Sequence, residues 1–476
     1  CLPASASAEL NIGGVRARIN NGGDMWWDLA DLAEYEVPKG TGRNSMYAGA
    51  LWVSGEDING NIKVAAHRYR AVGNDFWPGP LTIDGTAYTE AAICQYYNFI
   101  STIYRQDVVD FVNYYHNPAA YPGYNIPSYF YTYPAHGNQA LGQSPYLAPF
   151  FDNNEDGMYD PLSGDYPLYD LNNRFCHQPD PSFEDMNGLT NGGVLFDQML
   201  KGDQTLWWVF NDKGNTHTET QGTSIGIEVR AQAFAFSTVD EVNNMTFYSF
   251  EVINRSTETL YDAYLGFFTD PDAGYSHDDY IGCDVLRGLG YCYNGDDYDE
   301  AGNGSWGYGS QPAAVGVDIL KGPYMDADGI DNGAYVQHVD SLGNLWFENC
   351  NAAVNGSNFG NGIIDDECYG LTNFVKFIGS GTVPWYGTDP DVAAEYFNFM
   401  RSIWKDNTHM MYGGNGHIIS GGYGPECNFM FPGESDVCDY GTGGIPPNGP
   451  KNWTEETAGN QPYDRRIVQS SGPFTM

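Results

Sequence analysis

Between residues 225 and 233 apolar side chains fall on every second position, Ile225, Ile227, Val229, Ala231 and Ala233, with Glu228, Arg230 and Gln232 between them. A period of two sends alternate side chains to opposite faces of an extended chain, which predicts a strand with one buried face. Two more β-rich runs, 245–253 and 260–269, are separated by the turn residues Asn254-Arg255-Ser256-Thr257. Together they predict three successive strands in meander order within a sandwich sheet. Nearer the start, residues 45–53 and 62–69 flank Gly55-Glu56-Asp57-Ile58-Asn59-Gly60 and predict a hairpin. Between 89 and 115 the period becomes helical, with Val108, Phe111, Val112 and Tyr115 on one face and Asp107 as a candidate N-cap. A later helix is expected over 392–405, with Pro390 near its first position and Asp389 or Thr388 as cap. The expected class is mainly β: β-sandwich-type sheets with a small helical insert, one later helix and long Gly/Asp-rich calcium-binding loops.

Three regions are expected after an opening segment: a β-rich part with the helical insert over 9–190, a sandwich meander over 191–290, and a loop-rich part over 291–476 packed on the sandwich. The opening 1–8 is small and apolar, and Ala6, Ser7 and Ala8 before Glu9 match the A-x-A form of a signal-peptidase site. It reads as the tail of a signal peptide, or alternatively as a lipidated Cys1; both imply export. Removing Cys1 leaves eight cysteines, an even set that suits an oxidising exterior, with Cys283–Cys292 and Cys427–Cys438 the simplest local pairs. Lacking C-x-x-C spacing, the set argues against zinc ribbons and thioredoxin motifs.

Composition narrows the function. Of 476 residues, 42% are apolar and 15% aromatic, enough for a large core, so disorder from lack of hydrophobicity is excluded. The 21 basic and 61 acidic residues give a net charge of −40, which argues against nucleic acid and anionic membranes as partners. No apolar run is long enough for a membrane-spanning helix. Such acidity suits a medium rich in divalent cations, where carboxylates become ligands.

Three acidic clusters are candidate calcium sites. The first, Asp152, Asn154, Asp156, Met158, Asp160 and Asp165, has the D-x-[DN]-x-[DN]-G spacing in which Gly157 permits the turn that brings oxygens at positions 1, 3 and 5 together. Ser163 stands at the twelfth position, so Asp165 would have to supply the bidentate group. The second is split, with Asp326, Asp328, Asp331 and Asn332 in one half and Asn361, Asp365, Asp366 and Glu367 in the other, separated by an insertion that contains Cys350. The third comprises Asp270, Asp272, Asp278, Asp279 and Asp284, where so many neighbouring carboxylates require a cation or raised pKa values.

Enzyme motifs fit poorly. Gly222-Thr223-Ser224-Ile225-Gly226 has the G-x-S-x-G form, but a nucleophile elbow needs a following helix and the residues from Ile225 alternate as a strand. Gly302-Asn303-Gly304-Ser305-Trp306-Gly307 fits G-x-G-x-x-G without a helix after it, in a chain with 59 glycines. His409 and His417 lie in a Gly-rich stretch and suit surface or hydrogen-bonded roles rather than a metal. Trp26-Trp27 and Trp207-Trp208 are candidate sugar platforms, but neighbouring strand residues face opposite ways and core packing is the expected role.

The strings Val15-Arg16-Ala17-Arg18-Ile19-Asn20, Gly73-Asn74-Asp75-Phe76-Trp77-Pro78-Gly79-Pro80, Leu147-Ala148-Pro149-Phe150-Phe151-Asp152, Gly202-Asp203-Gln204-Thr205-Leu206-Trp207-Trp208-Val209-Phe210-Asn211-Asp212 and Ile281-Gly282-Cys283-Asp284 resemble a family of large extracellular Bacteroidota proteins. Members usually end in a type IX secretion sorting domain. The resemblance spans nearly the whole chain and implies export to the cell surface or medium; it carries no catalytic residues. The chain departs from the pattern at Ser471-Gly472-Pro473-Phe474-Thr475-Met476, which has no sorting domain after it and reads as the end of a fragment. The function expected is a non-catalytic, calcium-stabilised surface or secreted protein for adhesion, gliding or surface assembly, with glycans or other surface proteins as partners. The alternative is a polysaccharide-binding or glycoside-hydrolysing protein.

Overall fold

The structure, a computed structural model, describes residues 1–171, 198–302, 304–343, 345–379, 384–439, 442 and 451–476. Cys176, Asn303 of the Gly302 motif and the expected boundary at 190/191 lie outside the described residues.

Side-chain alternation builds the layers. In the Gln204–Asn211 strand, Leu206, Trp208 and Phe210 enter one core while Trp207 and Val209 enter another. In Ala48–Glu56, Ala48, Ala50 and Trp52 face a third core, and Leu51 and Val53 share the core of Trp208. These sheets are buried on both faces, so their strands run nearly continuously apolar. Among the described residues, ten strands form the larger sheet, whose order from one end begins Asn373–Phe377, Arg466–Phe474, Tyr261–Asp270 and Ala48–Glu56. Five form the smaller one, around Gln204–Asn211, Ile227–Ala235 and Phe247–Asn254. The two sheets share the Trp208 core as in a sandwich, and the fold is mainly β. Outside the small sheet lie the Arg105–His116 helix and its loops; outside the large one lie the Ala393–Met400 helix and a loop-rich cap.

The predicted hairpin is present, with Glu56 opposite Ile62, and so is the pairing of Ile227–Ala235 with Phe247–Asn254. The meander stops there. The third strand, Tyr261–Asp270, crosses to the large sheet, where it lies between Ala48–Glu56 and Arg466–Phe474. The crossing lets Tyr264 and Phe268 bury on one face and Ala263 on the other, which an edge position in the small sheet would not provide. The helical insert contains two helices, Ala91–Tyr96 and Arg105–His116, with the strand Ser101–Tyr104 between them. Asp107 lies in the first turn of the second helix and accepts the Tyr129 hydroxyl at 2.9 Å rather than capping. The later helix is shorter than expected: Ser402 takes the left-handed φ of 58°, and Asp389 pairs with Arg68 and Arg466 instead of capping.

The large sheet draws strands from all three expected regions, from 7–66, 261–270, 373–377 and 466–474. The opening segment expected to be a leader tail is built into it. Ser7–Leu10 pairs with Arg16–Asn20, the Cys1 ammonium donates to the Gly214 carbonyl at 2.8 Å, and Cys1 is disulfide-bonded to Cys94. Its small residues suit this packing, since Ala4 is buried and its carbonyl accepts from Arg70. Cys350 bonds to Cys438, so neither simple local pairing occurs. Cys283 lies opposite Gly290 and Cys292 opposite Ile281, so the two are not cross-strand partners; both are buried thiols, as is Cys427. No helix among the described residues is long and apolar enough to cross a membrane.

Candidate functional site: a buried carboxylate cluster

Asp270 ends the Tyr261–Asp270 strand, and the Pro271 that follows sets the turn carrying Asp272. Thr269 lies opposite Ile467, so the neighbouring strand brings Asp464 and Arg466 to the same place. Carboxylate oxygens of Asp270, Asp272 and Asp464 all lie within 4.8 Å of one another. Among the described residues no other set of three His, Cys, Asp or Glu ligand atoms converges so closely. The cluster faces a pocket of about 320 Å³, lined also by Trp27, Tyr47, Tyr69, Asp31 and Arg466.

Hydrogen bonds and charge define what is missing there. The Tyr69 hydroxyl donates to Asp270 Oδ2, yet Asp270 Oδ1 is shielded from water without a partner, in a residue only 4% exposed. Arg466 offsets part of the charge: Nε lies 3.6 Å from Asp270, Nη2 3.8 Å from Asp464, and Nη1 donates to Asp389 at 2.8 Å. Burial pushes Asp270 up to about 7 against the pull of Arg466, with Asp464 adding to the rise. Burial and the charges of Asp270, Asp464 and Asp279 carry Asp272 well above the ordinary carboxylate range. Two such groups beside a third carboxylate call for bound protons or a cation. An all-oxygen donor set of this kind suits a hard divalent ion such as calcium.

The other members of the third predicted cluster are elsewhere. Burial and the Asp299 and Glu300 charges push Asp278 up to about 7. Asp279 accepts the Ala273 amide at 3.0 Å and is pushed up to about 8 by burial, with Asp278 and Asp299 contributing. Asp284 pairs with Arg287 on the surface.

In the first loop Gly157 has the positive φ of 75° expected at its sixth position. Its side chains are largely bound to the loop's own groups. Asp152 accepts from Gly157 at 2.6 Å, Asp156 from Met158 at 2.8 Å and from the Asn154 amide at 2.9 Å, and Asp160 from Leu162 at 2.9 Å. Asp165 is buried beneath and accepts from Asn153 and Asp160 at 2.9 and 2.8 Å.

The two halves of the split cluster do meet. Asp365 accepts from Asp328 and Gly329, both at 2.8 Å; Asp331 accepts from Gly360 and Gly362; and Glu367 accepts from Asn332. The Asn361 amide donates to Asp366 at 2.9 Å, while Asp326 turns to Thr475.

The Ser224 elbow is absent because Ile227–Ala235 follows it as a strand. Lys213 Nζ donates to Ser224 Oγ at 3.2 Å beside a pocket of about 480 Å³. Both ring nitrogens of the nearby His217 are engaged with the carbonyls of Val64 and Asp212, at 2.8 and 2.7 Å, leaving no base for the serine. His417 bonds to Asp406 at 3.0 Å, and Trp26, Trp27, Trp207 and Trp208 are all buried.

Sequence reasoning missed Asp464. It lies in Tyr463-Asp464-Arg465-Arg466, a string with no acidic run, and only non-local strand pairing brings it to Asp270. No protein-family model matches this chain, and no curated protein or solved structure matches it.

Proposed function

We propose that this is an exported, non-catalytic surface or secreted protein stiffened by calcium, in keeping with its resemblance to the extracellular Bacteroidota family. The observation that carries the calcium reading is the convergence of Asp270, Asp272 and Asp464, with the buried Asp270 Oδ1 left without a hydrogen-bond partner. A cation there replaces protons that the buried carboxylates otherwise retain, and ties the Tyr261–Asp270 strand to the segment entering Arg466–Phe474. The loops at Asp152 and at Asp328 with Asp365 are further candidate calcium sites by spacing. The disulfides Cys1–Cys94 and Cys350–Cys438 support an oxidising location.

One observation favours a hydrolase: Asp270 at about 7 has the protonation a general acid uses. Against it, the three carboxylates crowd together, whereas glycoside hydrolysis sets two across a bond at roughly 5–10 Å. Calorimetric titration of calcium into metal-stripped protein tests the proposal. Binding that is weakened at least tenfold in Asp464→Asn is expected; an unchanged binding curve in that variant rejects the site.

A further inference from the structure

Calcium takes roughly 6–8 oxygen ligands, and three carboxylates supply between about three and six of them. Positions beyond these would open to the pocket that the cluster faces. The Tyr69 hydroxyl is held by Asp270, and Arg466 is a donor only. The charge of such a site is balanced: three carboxylates against one guanidinium and a divalent ion leave none over, while Asp389 is shared with Arg68. Asp31 at the pocket's exposed side adds a negative charge. Phosphate, sulfate and carboxylate ligands are therefore not attracted, and neutral oxygen ligands are.

The wall beside the carboxylates is aromatic. The Tyr47 amide donates to the Asp270 carbonyl at 2.8 Å, which fixes this half-buried tyrosine next to the cluster. Its ring meets Tyr69 edge-on at 5.9 Å, and Tyr69 in turn meets Trp27 at 6.2 Å. An open-faced cation beside a tyrosine wall matches a ligand with paired hydroxyls on an apolar ring face, the chemistry of a sugar.

Building on the calcium reading, we infer that the cation held by Asp270, Asp272 and Asp464 binds adjacent hydroxyls of an uncharged glycan, with Tyr47 against the sugar ring. The protein then recognises glycan through the metal without cleaving it.

Terbium luminescence lifetimes in light and heavy water, measured on the full metal-stripped chain, count the waters on the ion. Signal lost in Asp464→Asn is the signal from this site and separates it from ions in other acidic loops. With one oxygen from each carboxylate, about two or more waters are expected. At least one of methyl mannoside, methyl galactoside, methyl glucoside and methyl xyloside at high concentration should displace about two of them, whereas methanol should not. Tyr47→Ala should weaken that displacement several-fold, with the terbium signal itself reporting that the site is formed. A full coordination shell with no water, or a water count that none of the four glycosides changes, overturns the inference while leaving the calcium site standing. A terbium signal identical in Asp464→Asn rejects the calcium site itself.

Discussion

The exposed loop at Asp152 and the buried cluster at Asp270 are both acid-rich in sequence, yet they handle their charge in different ways. In the loop, nearly every carboxylate accepts a backbone amide from two to five residues away, and water screens the rest. In the cluster, the carboxylates come from two segments far apart in sequence, with Asp270 buried and Asp272 and Asp464 half-buried, and have one guanidinium between them. Acid density along the chain therefore says little about a demand for a cation. Burial combined with an unpartnered oxygen says much more.

The sharpest way to break this contrast is to remove the guanidinium. Arg466→Ala strands the buried carboxylates and should cost about 3 kcal/mol in denaturant unfolding of the metal-free protein, since losing one partner of a buried pair typically costs that much. Millimolar calcium should recover part of the loss. A cost below about 1 kcal/mol, the range of surface pairs, would mean that the cluster is effectively solvated.

A second separation comes from pH. Asp279 keeps its proton to about pH 8 in the folded chain, whereas an unfolded aspartate loses it near 4. The protonated form is favoured by folding, so this stabilisation is complete below the unfolded value and is lost as the pH climbs through about 8. Metal-free protein should consequently melt at a lower temperature at about pH 9 than at about pH 6. A melting temperature that is flat or rising over that interval would contradict the burial assigned to Asp279.

Much of this was legible beforehand. Period-two alternation marked Ile227–Ala235 and separated the faces of Trp207 and Trp208, while β-rich runs around a turn marked the hairpin at Ala48–Glu56. Sequence spacing also brought Asp328 and Asp365 together across their insertion. The crossing of Tyr261–Asp270 was hidden, because alternation reports which side is buried and not which sheet supplies the neighbour. Asp464 was hidden for the same reason. The disulfides followed tertiary neighbours rather than sequence neighbours, so Cys1 found Cys94 while Cys283 and Cys292 stayed thiols.

Smaller effects sharpen the comparison further. A site with a dissociation constant of roughly 10⁻⁴ M in about 10⁻³ M calcium adds about 1.4 kcal/mol by mass action. Asp464→Asn should abolish that calcium-dependent gain in a thermal melt with and without chelator. Asp156→Ala, at an exposed position, should change stability in chelator by no more than about 0.5 kcal/mol and remove less of the calcium response. If it removed as much as Asp464→Asn, the exposed loop would be the stronger cation site and the contrast would be reversed.

The position of the Arg466–Phe474 strand has a consequence for biogenesis. It is an interior strand, laid between Asn373–Phe377 and Tyr261–Asp270, both of which leave the ribosome before it. A nascent chain that has not reached it has a gap one strand in from the end of its larger sheet, with two unsatisfied strand edges facing each other. The same short stretch delivers Asp464 and Arg466, so the acidic cluster is completed only as the sheet closes.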